Sequence, residues 1–122
     1  MQQILTEFDL GWVVGILEGE GCFGTYEDKR RPSTFTVKIQ MESTDYDVVI
    51  RLNSLIPGRI WESNYPSKQK AFPNAKPSWR WAISNKAKVK SLCKLIYPYM
   101  SKRRTQQIDK VLLNCEYKRN KQ

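Results

Sequence analysis

The sequence contains no histidine among its 122 residues. This absence excludes nucleophilic sites that depend on a Ser-His or Cys-His pair. It also excludes metal sites that are built on imidazole ligands. Any catalysis by this chain must therefore rest on carboxylates, on lysine or arginine, and on a bound metal ion.

Cysteine is scarce, with residues only at Cys22, Cys93 and Cys115. The number is odd and no pair has a C-x-x-C spacing, so we expect neither a zinc site nor a disulfide framework. Buried, reduced thiols in an intracellular protein are the expected state of these side chains.

Long apolar runs are also missing, because no stretch reaches the roughly 18 residues that a membrane helix needs. Residues 1–7 lack a basic region followed by an apolar stretch, so we expect no signal peptide and no secretion. No basic amphipathic helix with an exposed apolar face is evident, and we therefore expect no membrane partner.

Positive charge is abundant, since 21 lysines and arginines face 12 acidic residues and give a net charge of +9. Such an excess is the electrostatic footprint of a phosphate binder, although a merely soluble basic protein is the alternative. The length indicates a single domain over residues 1–122. A domain of this size buries only about two-thirds of its unfolded surface, so dimerisation would stabilise it.

Hydrophobic periodicity and turn residues predict the element order αββαββαα. We expect helices at 7–20, 45–56, 86–97 and 102–117, and strands at 22–30, 34–42, 59–63 and 79–84. Thr6 and Asp9 resemble a capping box for the first helix, and Ser43 or Thr44 can cap the second. A polar loop over 64–78 joins the last two strands. This order indicates an α+β domain with an antiparallel sheet.

The first predicted helix is apolar on almost every side, which is typical of a helix buried all round. It also carries glycine at 11, 15 and 19. Each glycine costs about 1 kcal/mol relative to alanine in a helix. Residues four apart share a face, so these three form a glycine stripe that allows close approach of another backbone. That backbone is either the domain's own or the same helix of a second copy.

Two glutamates, Glu18 and Glu20, end the same helix. The C-terminal end of a helix is already negative, so carboxylates are unfavourable there. A hard divalent cation would relieve the repulsion, because Mg²⁺ prefers carboxylate and carbonyl oxygens. A solvated helix end is the alternative interpretation.

Residues 12–23 (WVVGILEGEGCF) resemble the LAGLIDADG motif: an apolar helical run, Gly, two apolar residues, acid, Gly, acid, Gly. Residues 97–107 (YPYMSKRRTQQ) resemble the aromatic, aliphatic and basic run that opens the family's last helix. The resemblance covers nearly the whole chain. It implies the αββαββαα LAGLIDADG homing-endonuclease fold, in which a curved antiparallel sheet forms a DNA-binding saddle.

The resemblance also implies a function: site-specific, metal-dependent hydrolysis of double-stranded DNA, with a role in intron mobility and no small-molecule substrate. It implies a location in the cytoplasm of a bacterial or phage-infected cell, or in an organelle. A single motif implies a homodimer on a roughly palindromic site. Its interface would use the first helix through Gly11, Trp12, Gly15, Ile16 and Gly19.

For the chemistry, the resemblance implies that Glu20 and the Gly19 carbonyl bind Mg²⁺ or Mn²⁺, with Ca²⁺ as a non-cleaving substitute. Glu18 would be structural. Arg103, with Lys102 beside it, would stabilise charge in the transition state, or would simply contact phosphate. The family often has a polar residue near the end of the second strand. Strand parity puts Met41 there, so the neighbouring Gln40 is the candidate.

The resemblance implies that one face of the sheet binds DNA in the major groove, and strand parity selects the side chains on that face. The expected readers are Tyr26, Arg30, Thr34, Thr36, Lys38, Gln40, Arg59, Trp61, Ser63 and Arg80. The opposite parity places Phe35, Trp79, Trp81 and Ile83 in the core. Three lysines of the long loop, Lys68, Lys70 and Lys76, are expected to contact phosphates without reading sequence.

Two other functions compete with cleavage. The first is a catalytically silent LAGLIDADG-derived protein that binds DNA or RNA, such as a maturase or a regulator. The second is a basic RNA-binding structural protein, which would not explain a glycine stripe followed by two acids.

Overall fold

The computed structural model describes residues 5–27, 30–31, 35–63 and 76–116. The elements are α1 (Glu7–Glu20), β1 (Gly21–Glu27), β2 (Phe35–Ser43), α2 (Tyr46–Leu55), β3 (Arg59–Ser63), β4 (Ser78–Ile83), α3 (Lys86–Ile96), a 3₁₀ helix (Tyr97–Tyr99) and α4 (Lys102–Glu116). The predicted order is confirmed. The 3₁₀ helix is an addition, at Pro98, whose missing N–H cannot continue an α-helical ladder.

The four strands form one antiparallel sheet in the order β1-β2-β4-β3. Residues directly opposite each other in such a ladder point to the same face. Ile39 of β2 lies opposite Phe23 of β1 and Ile83 of β4, and Met41 lies opposite Trp81. The register therefore gathers the apolar side chains of three strands on one face.

The helices pack on this apolar face and form a single core with it. Trp81 is completely buried, and its indole Nε1 donates a hydrogen bond to the Ile56 carbonyl over 2.9 Å. The predicted core positions Phe35, Trp79, Trp81 and Ile83 all lie on this side of the sheet. The helices contribute the buried residues Val13, Leu17, Val49, Leu52, Val89, Leu92, Cys93, Ile96, Ile108 and Val111.

The helix starts confirm one predicted cap and correct another. Thr6 Oγ1 accepts from the Asp9 N–H at 3.1 Å, as expected for the N-cap of α1. The prediction of Ser43 or Thr44 as the cap of α2 was wrong. Asp45 is the N-cap, and its Oδ1 accepts from the Asp47 N–H at 3.0 Å, because Ser43 still belongs to β2.

The prediction that α1 is buried on every side was wrong for a single chain. Only Val13 and Leu17 are fully buried in this helix. The three residues of the glycine stripe are exposed, and a Cβ added to any of them would meet nothing within 4 Å. The core of one chain covers one side of α1 and leaves its glycine side bare.

The cysteines are also only partly as expected. Cys93 is buried, and burial raises the pKa of its thiol to about 12. Cys115 is half-buried, whereas Cys22 is exposed. The prediction of a buried thiol fails at Cys22 because it lies opposite Gln40, on the sheet face that the helices leave uncovered. No helix in the described part of the chain has the length and apolar character to cross a membrane.

Candidate functional site

Glu20 is the last residue of α1 and lies at an abrupt change of direction in the chain. The next residue, Gly21, already begins β1, and its N–H donates to the Leu17 carbonyl as the helix cap. A Cβ on Gly21 would lie 2.5 Å from that carbonyl oxygen, so only glycine allows this turn. The Glu20 carboxylate is exposed and forms no hydrogen bond or ion pair with any described residue.

Glu18 is held in place by α4, although it is only two residues from Glu20. Its carboxylate accepts hydrogen bonds from the Ser101 N–H at 2.6 Å and from Ser101 Oγ at 3.0 Å. Arg104 Nε lies 3.7 Å from the same carboxylate and donates to the Glu18 carbonyl at 3.0 Å. The structural role expected of Glu18 fits these contacts, which join the end of α1 to the start of α4.

The basic run at the start of α4 divides into exposed and buried members. Lys102 and Arg103, the expected catalytic cations, are exposed, and their side chains have no polar partner among the described residues. Arg104 is instead 6% exposed and contacts Glu18. Sequence reasoning missed Arg104, although its position one residue beyond Arg103 gives it a different helix face. The Ser101–Glu18 contact places the start of α4, and so the backbone of these three residues, beside the end of α1.

The second face of the sheet carries the side chains that strand parity predicts for DNA reading. We define this open face as Cys22, Gly24 and Tyr26 of β1, Thr36, Lys38, Gln40 and Glu42 of β2, Ser78, Arg80 and Ala82 of β4, and Arg59, Trp61 and Ser63 of β3. None of these described residues belongs to the core that the helices cover.

The structure describes only some of the predicted DNA contacts that lie outside the strands. Arg30 is exposed in the turn after β1, and Lys76 is exposed just before β4. Three predicted contacts, Thr34, Lys68 and Lys70, lie outside the described residues.

One predicted DNA reader lies on the expected face but is not accessible. Ser63 is only 7% exposed, and its Oγ has no hydrogen-bond partner among the described atoms. Its cross-strand partner Ser78 is buried too. The prediction of Ser63 as a surface contact was wrong, because strand parity determines which face of the sheet a residue lies on and does not determine its solvent exposure. Arg59, on the same strand, is exposed and stacks over Trp61 at 4.9 Å.

Tyr26 forms a compact cluster with its neighbours on the open face. A Cβ on Gly24 would lie 2.7 Å from the Tyr26 hydroxyl, so the ring folds back over this glycine. Gln40 Nε2 donates to that hydroxyl at 3.5 Å, and Lys38 Nζ lies 5.6 Å from the ring centroid. Burial and then the nearby Cys22 thiol raise the pKa of the Tyr26 hydroxyl. Tyr26 therefore stays neutral and can donate a hydrogen bond to an acceptor.

A carboxylate that the sequence reasoning missed lies beside this cluster. Glu42 follows Gln40 by two residues and so shares its face. It accepts from Arg80 Nε at 2.6 Å and from Ser78 Oγ at 2.7 Å. Arg80, a predicted DNA reader, is thus oriented by an ion pair on the open face. The parity that selected Gln40 could also have identified Glu42.

The end of α1 suits a hard cation in its chemistry but supplies few ligands. Glu20 offers a carboxylate and Gly19 offers a carbonyl, which are ligand types that Mg²⁺ and Ca²⁺ prefer. In the described residues no group of three or more histidine, cysteine, aspartate or glutamate side chains could hold a metal ion. Two oxygen donors are fewer than the octahedral shell that Mg²⁺ takes, so an ion at this end would need further oxygen ligands.

Comparison with known proteins rests on the fold. No family model and no curated protein sequence matches the chain. Among solved structures, the homing endonuclease I-CvuI in complex with DNA has a TM-score of 0.70 at 12% identity, over 90% of this chain and 67% of that chain. The group I intron-encoded homing endonuclease I-CeuI complexed with DNA has a TM-score of 0.68 at 12% identity, over 95% and 57%.

A third similar structure is that of a protein with the LAGLIDADG motif. The I-LtrWI LAGLIDADG homing endonuclease bound to target DNA has a TM-score of 0.64 at 13% identity, over 95% of this chain and 39% of that chain. This chain thus spans 39–67% of the length of the three proteins. The element order, the antiparallel sheet and these likenesses agree, and the chain has the LAGLIDADG homing-endonuclease fold.

Proposed function

We propose that this protein is a site-specific endonuclease that cuts double-stranded DNA as a homodimer, with divalent metal ions bound by Glu20. The observation that carries the proposal is the contrast between the two glutamates of α1. Glu18 is tied to α4 by several contacts, whereas the Glu20 carboxylate is exposed and unpaired among the described residues. An exposed acid at the negative end of a helix is suited to binding a cation.

The position of Glu20 relative to the sheet supports a DNA substrate. Glu20 leads directly into β1, whose residue Cys22 is already on the open face. A phosphodiester backbone passing over that face would therefore come close to the end of α1. The basic chain, with its net charge of +9, favours such a polyanion. The DNA complexes of structurally similar proteins support the same substrate.

A second copy of the chain would complete the site. The glycine stripe is exposed and has empty space beside it, while Trp12 and Ile16 flank it half-buried. Two copies of α1 that pack along these stripes would bring two Glu20 carboxylates together. A two-fold axis makes such an interface self-complementary and predicts a roughly palindromic DNA site.

The residues of the chain divide the chemistry between them. Glu20 and the Gly19 carbonyl would hold Mg²⁺, which when bound would supply Lewis-acid chemistry at the phosphodiester. Arg103 and Lys102, two residues or fewer from the Ser101–Glu18 contact, stabilise negative charge on the phosphate. Gln40 takes part through the Tyr26 cluster rather than as an isolated side chain.

The open face positions the duplex before cleavage. Lys38, Arg59 and Arg80 offer cationic donors across three strands, and arginine can pair with guanine through two hydrogen bonds. Thr36, Gln40 and Trp61 lie among them as polar and stacking groups. Lys76, at the edge before β4, is suited to phosphate contact.

The decisive experiment replaces Glu20 by glutamine and measures both binding and cleavage. Wild-type protein with Mg²⁺ is expected to cut one site in a randomised duplex library. Glu20→Gln is expected to bind that site in Ca²⁺ and to cut it at least about 100-fold more slowly, because loss of a mere supporting contact already costs about 10–100-fold. Electrophoretic mobility shift and time courses of cleavage give the two quantities.

Glu7→Gln is the matched control, since Glu7 is an exposed glutamate at the opposite end of the same helix. It should cut at the wild-type rate. If wild type and Glu20→Gln bind DNA equally and neither cuts any member of a saturating library, the catalytically silent binding protein is the correct function.

A further inference from the structure

Arg104 is the most deeply buried charged residue of the described chain, with 6% of its surface exposed. Its side chain reaches α1 from a position 86 residues further along the sequence. Nη1 donates to Gln107 Oε1 at 2.9 Å, and the guanidinium lies 5.8 Å from the Phe23 ring centroid on β1. The arginine therefore joins α4, β1 and the end of α1 in one packed contact.

The contact with α1 is made at a specific backbone atom. An α-helix leaves its last four carbonyls without partners inside the helix. In α1 the Leu17 carbonyl accepts from the Gly21 N–H, and the Glu18 carbonyl accepts from Arg104 Nε at 3.0 Å. Helix α1 has no basic residue of its own in the last turn, so Arg104 supplies the positive charge from another element.

These two hydrogen bonds fix two peptide planes on either side of a third. Because a peptide is planar, a hydrogen bond to the Glu18 carbonyl also orients the N–H and the Cα of Gly19, which lie in the same plane. The Gly21 N–H, bonded to Leu17, fixes the plane that follows Glu20. The peptide between them carries the Gly19 carbonyl. Gly19 has no side chain and its Cβ position is surrounded by empty space, so only the backbone hydrogen bonds of the helix, and no side-chain packing, limit its conformation.

We propose that Arg104 is a positioning residue for the metal site, which it serves by holding the Glu18 carbonyl and thereby aiming the Gly19 and Glu20 oxygens. This inference rests on the proposed function of Glu20. Arg104 does not contact DNA or metal in this role. Groups that orient metal ligands commonly change metal affinity by about 10–100-fold when they are removed.

The test compares Arg104→Lys and Arg104→Met with Lys110→Met, which removes an exposed charge from the same helix. Lysine keeps the positive charge of Arg104 but lacks the planar guanidinium group, whose Nε–H makes the hydrogen bond in the wild-type protein. Hydrogen–deuterium exchange on the free protein is the first measurement. We expect the amides of residues 19–21 to exchange about 10-fold faster in both Arg104 variants, with core amides of α4 and β2 unchanged in Arg104→Lys.

Mn²⁺ binding to the protein–DNA complex, followed by electron paramagnetic resonance, is the second measurement. The half-saturating Mn²⁺ concentration should rise about 10-fold in Arg104→Lys, while DNA affinity without metal stays at the wild-type value. Saturating metal should then restore most of the cleavage rate. Lys110→Met should match wild type in exchange and in Mn²⁺ affinity.

A merely structural role gives a different pattern and would overturn the inference. In that case the Arg104 variants unfold at lower temperature, but the 19–21 amides exchange as in Lys110→Met and Mn²⁺ affinity is unchanged. If wild-type protein with DNA binds no Mn²⁺ and cuts nothing, the proposed function fails instead. The exchange comparison still decides whether Arg104 holds the end of α1.

Discussion

Helices α1 and α2 each open a unit of one helix and two strands, and they differ mainly on their outer sides. Both bury two residues completely, Val13 and Leu17 in α1, Val49 and Leu52 in α2. The outer side of α2 is exposed at Ile50 and Ser54, whereas the outer side of α1 is the glycine stripe. The same inner packing therefore supports a helix with side chains facing solvent and a helix with a bare backbone.

The ends of the two helices differ in the same sense. At the end of α2 the Ile56 N–H donates to Leu52, and Asn53 Oδ1 accepts from the Gly58 N–H at 2.8 Å. These local bonds close the helix before β3. At the end of α1 the chain enters β1 at once, and Glu20 projects without a partner among the described residues. Of these two helices, only α1 combines an exposed glycine stripe with a carboxylate that has no partner among the described residues. The proposed dimer interface and cation site depend on these two features.

Gly15→Leu should have the largest effect of the substitutions that test this difference between α1 and α2, and the effect is on dimerisation. A leucine at the proposed interface enters it once from each copy, so overpacking of about 1–3 kcal/mol per site weakens the dimer by about 2–6 kcal/mol. The single chain should become more stable by up to about 1 kcal/mol, since leucine favours a helix over glycine. Analytical ultracentrifugation measures the first effect and urea unfolding the second.

Ser54→Leu is the control for Gly15→Leu, because Ser54 is exposed on the outer side of α2. It adds the same side chain without changing the dimer. An unchanged sedimentation profile for Gly15→Leu would show that the bare side of α1 is not an interface.

Leu17→Ala and Leu52→Ala should have effects of similar size, because both side chains are fully buried in the same core. Each truncation should reduce the free energy of unfolding by about 2–5 kcal/mol. Urea unfolding of both variants in the Gly15→Leu background keeps dimerisation out of the comparison. A loss below about 1 kcal/mol at one site alone would mean that the two helices do not share one core.

The smallest effects are expected at the two N-caps. Thr6→Ala removes the hydroxyl that accepts from the Asp9 N–H, and Asp45→Ala removes the carboxylate that accepts from the Asp47 N–H. Each change should cost about 1 kcal/mol of stability by urea unfolding. If the urea midpoint is unchanged in Asp45→Ala but reduced in Ser43→Ala, Ser43 and not Asp45 is the N-cap that stabilises α2.

Local patterns predicted the elements because they reflect the period of each structure. The limits of α1, Glu7–Glu20, agree with the expected 7–20, and β3 agrees at Arg59–Ser63. Strand alternation likewise placed Lys38 and Arg80 on the open face. The solvent exposure of a side chain and its polar partners depend on residues that are distant in the sequence. The sequence patterns therefore did not predict the burial of Ser63, the exposure of Cys22 or the ion pair of Glu42.

The sequence by itself determined the order of the elements, the two faces of the sheet and an acidic end on a glycine-bearing helix, since periodicity and backbone propensity act over a few neighbouring residues. The tertiary structure alone decided which acid is tied and which is free. It also decided that Arg104 rather than Arg103 is buried, because these outcomes depend on contacts between α1 and α4, more than 80 residues apart. Contacts at that separation arise only when the helices pack on a common sheet.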